Sequence, residues 1–157
     1  MNTSMVLVSH PKSSKNVVMI VYDKAQNHFL GQFPADLPIE QAYVHIGIFI
    51  GWIIQEQLYS DDFEDEAGTQ ILRFLRRETS CALLSEIWDG YLGEELLNEE
   101  GNEFAQYYYA SGKYLEDYQQ TLAKDLPNYY YVGDTWENYD KMAVVISERF
   151  VEWHQAN

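Results

Sequence analysis

The side chains able to do chemistry in this chain are four histidines, one cysteine and a large stock of carboxylates and tyrosines. The histidines are His10, His28, His45 and His154. None forms an HxxxH or HxH pair, the kind of spacing that announces metal ligands on one element. His28 and His45 flank the start of the most apolar segment and can meet in space, where structural hydrogen bonding is the expected role. Cys81 stands between Ser80 and Ala82 with nothing local to lower its pKa, so a buried, inert thiol is expected rather than a nucleophile. The acids Asp61, Asp62, Glu64, Asp65 and Glu66 lack the glycine and the alternation of a calcium loop. No glycine loop leads into GK[ST], and no Gly-x-Ser-x-Gly elbow occurs. Carboxylates are so numerous that an acid–base pair could sit anywhere, and abundance carries no information. No metal and no cofactor is expected. One constellation stays open to chemistry, a polar pocket drawn from His28, His45, Trp136, Glu137 and Asp140.

Charge says more than motif. Residues 1–58 carry four acids against three bases, a net of −1, whereas residues 59–157 carry 21 acids against seven bases, a net of −14. Such a surface repels nucleic acid and anionic lipid and attracts basic partners. The 13 tyrosines and four tryptophans matter for the same reason. Tyr107-Tyr108-Tyr109 and Tyr129-Tyr130-Tyr131 cannot all point inward, because consecutive residues face different ways. Some phenols must therefore reach the surface, and aromatic side chains are enriched in protein-binding patches.

The element that must position all of this is residues 39–59, IEQAYVHIGIFIGWIIQEQLY. Ile46 to Ile54 holds no charge, and its large side chains point almost all round a helix, so the helix is buried on all sides. It is well short of the roughly 18 apolar residues a membrane span needs. Asp36-Leu37-Pro38 opens it, with Asp36 or Leu37 at the cap and Pro38 where no backbone donor is missed. Gly47 and Gly51 lie four apart and predict close approach of another element.

The remaining elements follow from pattern. Val17–Tyr22 is β-branched and reads as a strand that pairs with Met5–Val8. A second helix spans about 63–77. A third, capped by Thr79 or Ser80, turns Leu83, Leu84, Ile87 and Trp88 inward. Residues 92–101 read as a short turn or helix, and a helix from Asn102 continues past Gly112 to Leu122. Tyr129 to Val132 reads as extended. Asp134-Thr-Trp-Glu137 is a capping box, and Trp136, Tyr139, Ala143, Ile146, Phe150 and Trp153 form the seam of the last helix. The fold class is mainly α, a single-domain helical bundle around the buried central helix (39–59) with at most two short N-terminal strands. Residues 1–21 are an arm or short strand pair, and 22–157 the helical domain. The length suits one core, one cysteine excludes an internal disulfide, and no leader pattern opens the chain, so a cytoplasmic protein is expected.

Several stretches carry a resemblance: Tyr22-Asp23-Lys24-Ala25 with His28, Phe33-Pro34-x-Asp36-Leu37-Pro38, His45-Ile46-Gly47 with Trp52, Asp89-Gly90-x-Leu92, Leu97-Asn98-x-x-Gly101-Asn102-x-Phe104-Ala105-x-x-Tyr108 and Asp134-Thr-Trp-Glu-Asn-Tyr-Asp140. With these the chain resembles a family of small bacterial proteins of uncharacterised activity, over about Tyr22 to Trp153. In size and charge it is similar to immunity proteins that neutralise toxins. That likeness implies a protein without turnover that binds a basic protein partner, a cognate toxin, and neither nucleic acid nor membrane. The residues expected to meet the partner are Asp61, Asp62, Glu64, Asp65, Glu66, Glu94, Glu95, Glu99, Glu100, Tyr108 and Tyr130. The alternatives are an enzyme using the pocket near His28, His45 and Asp140, and a structural interaction protein.

Overall fold

The computed structural model describes the backbone of residues 4–9 and 16–157 and the side chains from residue 19 onward. His10 and Pro11 lie outside the described residues. The chain opens with β1 (Ser4–Ser9) and β2 (Asn16–Lys24), antiparallel from Ser4 opposite Val21 to Ser9 opposite Asn16. Then come α1 (Ala25–Phe29), a 3₁₀ turn at Ile39–Tyr43 and α2 (Val44–Gln55). Next are α3 (Asp61–Leu75), α4 (Cys81–Glu86), β3 (Tyr91–Gly93) and a 3₁₀ turn at Glu94–Leu96. The chain ends with α5 (Glu99–Tyr108), α6 (Lys113–Leu122), a 3₁₀ turn at Tyr129–Tyr131 and α7 (Trp136–Ala156). The fold is mainly α, as expected. β3 comes from mid-chain and joins the two N-terminal strands in one sheet, ordered β1-β2-β3.

α2 is the core. Every residue from Val44 to Ile54 is buried. Trp52 packs against Phe104 and Phe150, tilted to the first and edge-on to the second, each ring centroid 5.3 Å away, and its indole N–H donates to Ser147 Oγ at 2.9 Å. The two glycines do admit neighbours. A Cβ at Gly47 would lie 1.9 Å from the Cys81 carbonyl oxygen, and one at Gly51 would lie 2.4 Å from the Phe74 ring. So α4 approaches α2 backbone to backbone, while α3 presses a ring on the next turn. The helix is shorter than 39–59. Residues 39–43 wind as 3₁₀ with Pro38 at the cap position, and Gln57 adopts a left-handed φ of 58° that ends the run.

Three helices depart from the expected bounds for local reasons. α3 starts two residues earlier than expected because the Ser60 hydroxyl accepts from the Phe63 N–H, a side-chain cap. α5 starts earlier because Asn98 caps it by accepting from the Gly101 N–H at 2.7 Å, and Gly101 lies inside the helix against Leu58. Gly112, at φ 90°, separates α5 from α6, so what read as one helix is two. α4 is only six residues long, and its packed residues are Cys81, Ala82, Leu84 and Ser85. Leu83 is 55% exposed and Ile87 44% exposed, so the expected inward face was wrong for both. Tyr129–Tyr131 is 3₁₀ rather than extended, capped by the Asn128 side chain.

α7 does not use the capping box. Thr135 is its cap, accepting from the Asn138 N–H at 3.1 Å. Asp134 instead accepts from the Ala82 N–H at 3.2 Å and so serves the start of α4, while Glu137 pairs with Lys141 at 3.1 Å. Two acids three apart at a helix start look the same in sequence whichever helix they cap.

Candidate functional site: a buried Asp-His-His cluster and an acidic face

A bulge in β2 prepares the first site. Val21 pairs with Gly93 and Asp23 with Leu92, so Tyr22 is an extra residue on β2. A regular strand would turn Tyr22 and Asp23 to opposite faces, yet Val21, Tyr22 and Asp23 are all buried. The Tyr22 hydroxyl donates to Asn102 Oδ1 at 2.7 Å, and Asp23 turns into the helical core. One turn of α1 brings His28 round to it, and the first turn of α2 brings His45.

Asp23 is 4% exposed and must have its charge satisfied within the protein. Its Oδ1 accepts from His28 Nε2 at 2.7 Å and from the Lys24 N–H at 2.8 Å. Its Oδ2 accepts from His45 Nε2 at 3.0 Å and from the Tyr109 hydroxyl. Four donors fill the carboxylate. Burial alone would raise its pKa, but the hydrogen bonds from His28 and His45 outweigh that and hold it well below the usual carboxylate range. Burial lowers the pKa of His45 despite Asp23 beside it, so this imidazole is a neutral donor. Burial, then the Asp23 charge, raises the Tyr109 phenol and keeps its proton in place.

A ring of tyrosines closes the cluster. The Tyr130 hydroxyl bonds His28 Nδ1, Tyr129 reaches Tyr130 at 3.2 Å, and the Tyr129 ring lies edge-on to His45 with centroids 5.3 Å apart. Tyr114 donates to the His45 carbonyl at 2.5 Å. The Gln41 side chain donates to the carbonyls of Tyr130 and Val132 at 2.8 and 2.9 Å, which ties the 129–131 turn down over the histidines.

Of the five residues considered for a pocket, only His28 and His45 share this cluster. Trp136 and Asp140 meet Arg77 instead: the guanidinium stacks 4.4 Å from the Trp136 ring and reaches Asp140 Oδ1 at 2.6 Å. Asp23 and Tyr109 were absent from the expected site. Asp23 lies five residues before His28, but nothing in periodicity foretold a bulge at Tyr22. Cys81 is buried, and burial pushes its thiol up, in keeping with an inert cysteine.

The second site is on the surface. Asp61, Asp62, Glu64, Asp65 and Glu66 are all exposed at the start of α3, where a helix N-terminus favours acids. Tyr59 bridges Leu97, the Asn98 N–H donates to Leu58 O at 2.9 Å, and Ser60 Oγ donates to Glu95 O at 2.8 Å. The two helix starts, capped by Ser60 and Asn98, therefore lie side by side, and the acids of 61–66 adjoin those of 94–100. Glu94 is engaged, accepting from the Ile20 N–H, and Glu95 accepts from the Tyr91 hydroxyl. Beyond them an open groove is lined by Glu99, Glu100, Glu103 and Trp153, with Glu100 also pairing with His154 at 2.9 Å. Tyr130 is half-buried over His28. Tyr108 is fully buried, with its hydroxyl on Asp117 at 2.7 Å, so it cannot serve as an exposed anchor. Three consecutive aromatics left its direction open, and the helix turned it inward.

The family described as a domain of unknown function (DUF7832) matches residues 21–132, more than half of the chain. The chain belongs to this family. The DUF7832 region holds every member of the Asp23 cluster and both acidic stretches. It stops short of α7, although the resemblance implied similarity as far as Trp153, and so leaves out the Asp134–Asp140 stretch. No curated protein and no solved structure matches the chain. None of the described helices is long and apolar enough to cross a membrane.

Proposed function

We propose that this protein is an immunity-type binder that masks a basic protein partner, a cognate toxin domain, and has no turnover of its own. The observation that carries the reading is the single acidic face formed where the starts of α3 and α5 meet and run on into the Glu99, Glu100, Glu103 and Trp153 groove. None of the five acids at 61–66 has a cationic partner among the described residues, in a chain of net charge −15. Carboxylates beside an indole suit a lysine or arginine, which gains both ion pairing and a cation–π contact. The exposed acids steer the encounter, and the aromatic groove anchors it.

The enzyme alternative has less support. Asp140 is committed to Arg77, and His45, at 1% exposed, offers substrate no direct approach. The test is co-expression with the product of each adjacent gene, followed by affinity capture and measurement of association rate against salt. A one-to-one complex whose association slows as salt rises is expected, because exposed charges are screened beyond about 8 Å at physiological ionic strength. Absence of a complex with either product defeats the proposal.

A further inference from the structure

We propose that Asp23, His28 and His45 hold one first-row divalent metal ion of the Zn²⁺ type. Their ligand atoms lie within 4.8 Å of one another, and all three residues are buried. They come from the end of β2, from α1 and from the start of α2, so an ion here would clamp three elements across the core. Two imidazole nitrogens and one carboxylate oxygen form a borderline donor set that suits zinc rather than calcium or magnesium.

The surroundings of His28 fit as well as the donors. A metal-bound histidine keeps its proton on the outer nitrogen and gives it to a second group, which fixes the ring. His28 presents Nε2 inward to Asp23 and Nδ1 outward to the Tyr130 hydroxyl. A hydroxyl both donates and accepts, so Tyr130 serves either tautomer of His28. Without metal it donates to Nδ1 while Nε2–H serves Asp23. With metal it accepts from Nδ1–H while the Nε2 lone pair binds the ion. Tyr109 and the Lys24 N–H hold the carboxylate in place. The strongly negative chain draws cations toward it. This inference is independent of the partner-binding proposal, since it concerns the interior and not the acidic face.

The experiment uses the full chain, dialysed against a chelator and then titrated with Zn²⁺. Uptake of one equivalent per chain, a melting temperature that rises with zinc, and shifts in the imidazole nitrogen signals of His28 and His45 but not His154 are expected. Tyr130→Phe should weaken uptake by about 10- to 100-fold, the usual effect of losing such an outer partner. His28→Gln should abolish it. Should His28→Gln fail to fold, the wild-type imidazole signals still decide. No uptake by the folded wild type overturns the proposal. So does uptake that leaves the His28 and His45 signals in place, because the ion is then on the surface acids.

Discussion

Gly47 lies directly under the carbonyl of Cys81, so close that a Cβ would sit 1.9 Å from that oxygen. The obstacle is backbone, which cannot swing aside as a flexible side chain would. Gly47→Ala should therefore force α2 and α4 apart and destabilise by about 1–3 kcal/mol, the range for overpacking. Denaturant unfolding checks this. An unchanged midpoint would mean that α4 does not pack on α2 through this contact.

Ile53 is buried on the central helix, and truncating it leaves a hole the packed rings around Trp52 cannot fill. Ile53→Ala should cost about 2–5 kcal/mol. A loss under about 0.5 kcal/mol, typical of a surface change, would contradict the placement of α2 at the core.

The two residues at the start of α7 serve different helices. Asp134→Ala should cost about 1 kcal/mol by removing a bond to the α4 backbone. Thr135→Ala should cost about 1 kcal/mol by uncapping α7. Amide exchange separates them: the Ala82 N–H should exchange faster in the first variant and not in the second. Glu137→Ala should stay within about 0.5 kcal/mol, since Glu137 and Lys141 are both exposed.

Acid stability should depend on Arg149. Burial would raise the Asp117 pKa, but bonds from Arg149 Nε at 2.8 Å, Arg149 Nη2 at 3.0 Å and the Tyr108 hydroxyl hold it below its ordinary value of 3.8. A carboxylate depressed in the folded state adds stability above its unfolded pKa and loses it as pH falls through the folded one. The advantage of wild type over Arg149→Met should thus be full at neutral pH and shrink below about pH 4. A difference that stays constant down to acid unfolding would show that Arg149 acts by packing alone.

What the sequence revealed depended on whether the signal was local. The all-round apolar run at 46–54 made α2 legible, and β-branching made β2 legible. Thr79 and Ser80 both suited the cap of α4 in sequence, and the Ser80 hydroxyl fills it by accepting from the Leu83 N–H. The Asp134–Glu137 box was misread because the partner of Asp134 lies 52 residues away at Ala82. The cluster was half legible. His28 and His45 bracket the helix entrance, but Asp23 enters through a bulge that needs β3, a three-residue strand whose sequence, Tyr-Leu-Gly, carries no strand period. Tyr109 arrives from 86 residues away. The acidic stretches were visible as charge, whereas their union depends on the Tyr59–Leu97 bridge.

The proposed role of the joined acidic face is to neutralise a basic toxin. Its most direct measurement is growth of cells producing the adjacent-gene product together with this protein, as wild type or with Asp61, Asp62, Asp65 and Glu66 each changed to Lys. These four side chains are exposed, so the variant should keep the fold, with a lower melting temperature because lysines replace acids at the N-terminus of α3. Wild type should restore growth, and the variant should associate with the toxin far more slowly and restore it poorly. Growth arrest that wild type fails to relieve, with no complex formed by the product of either neighbouring gene, would contradict the account.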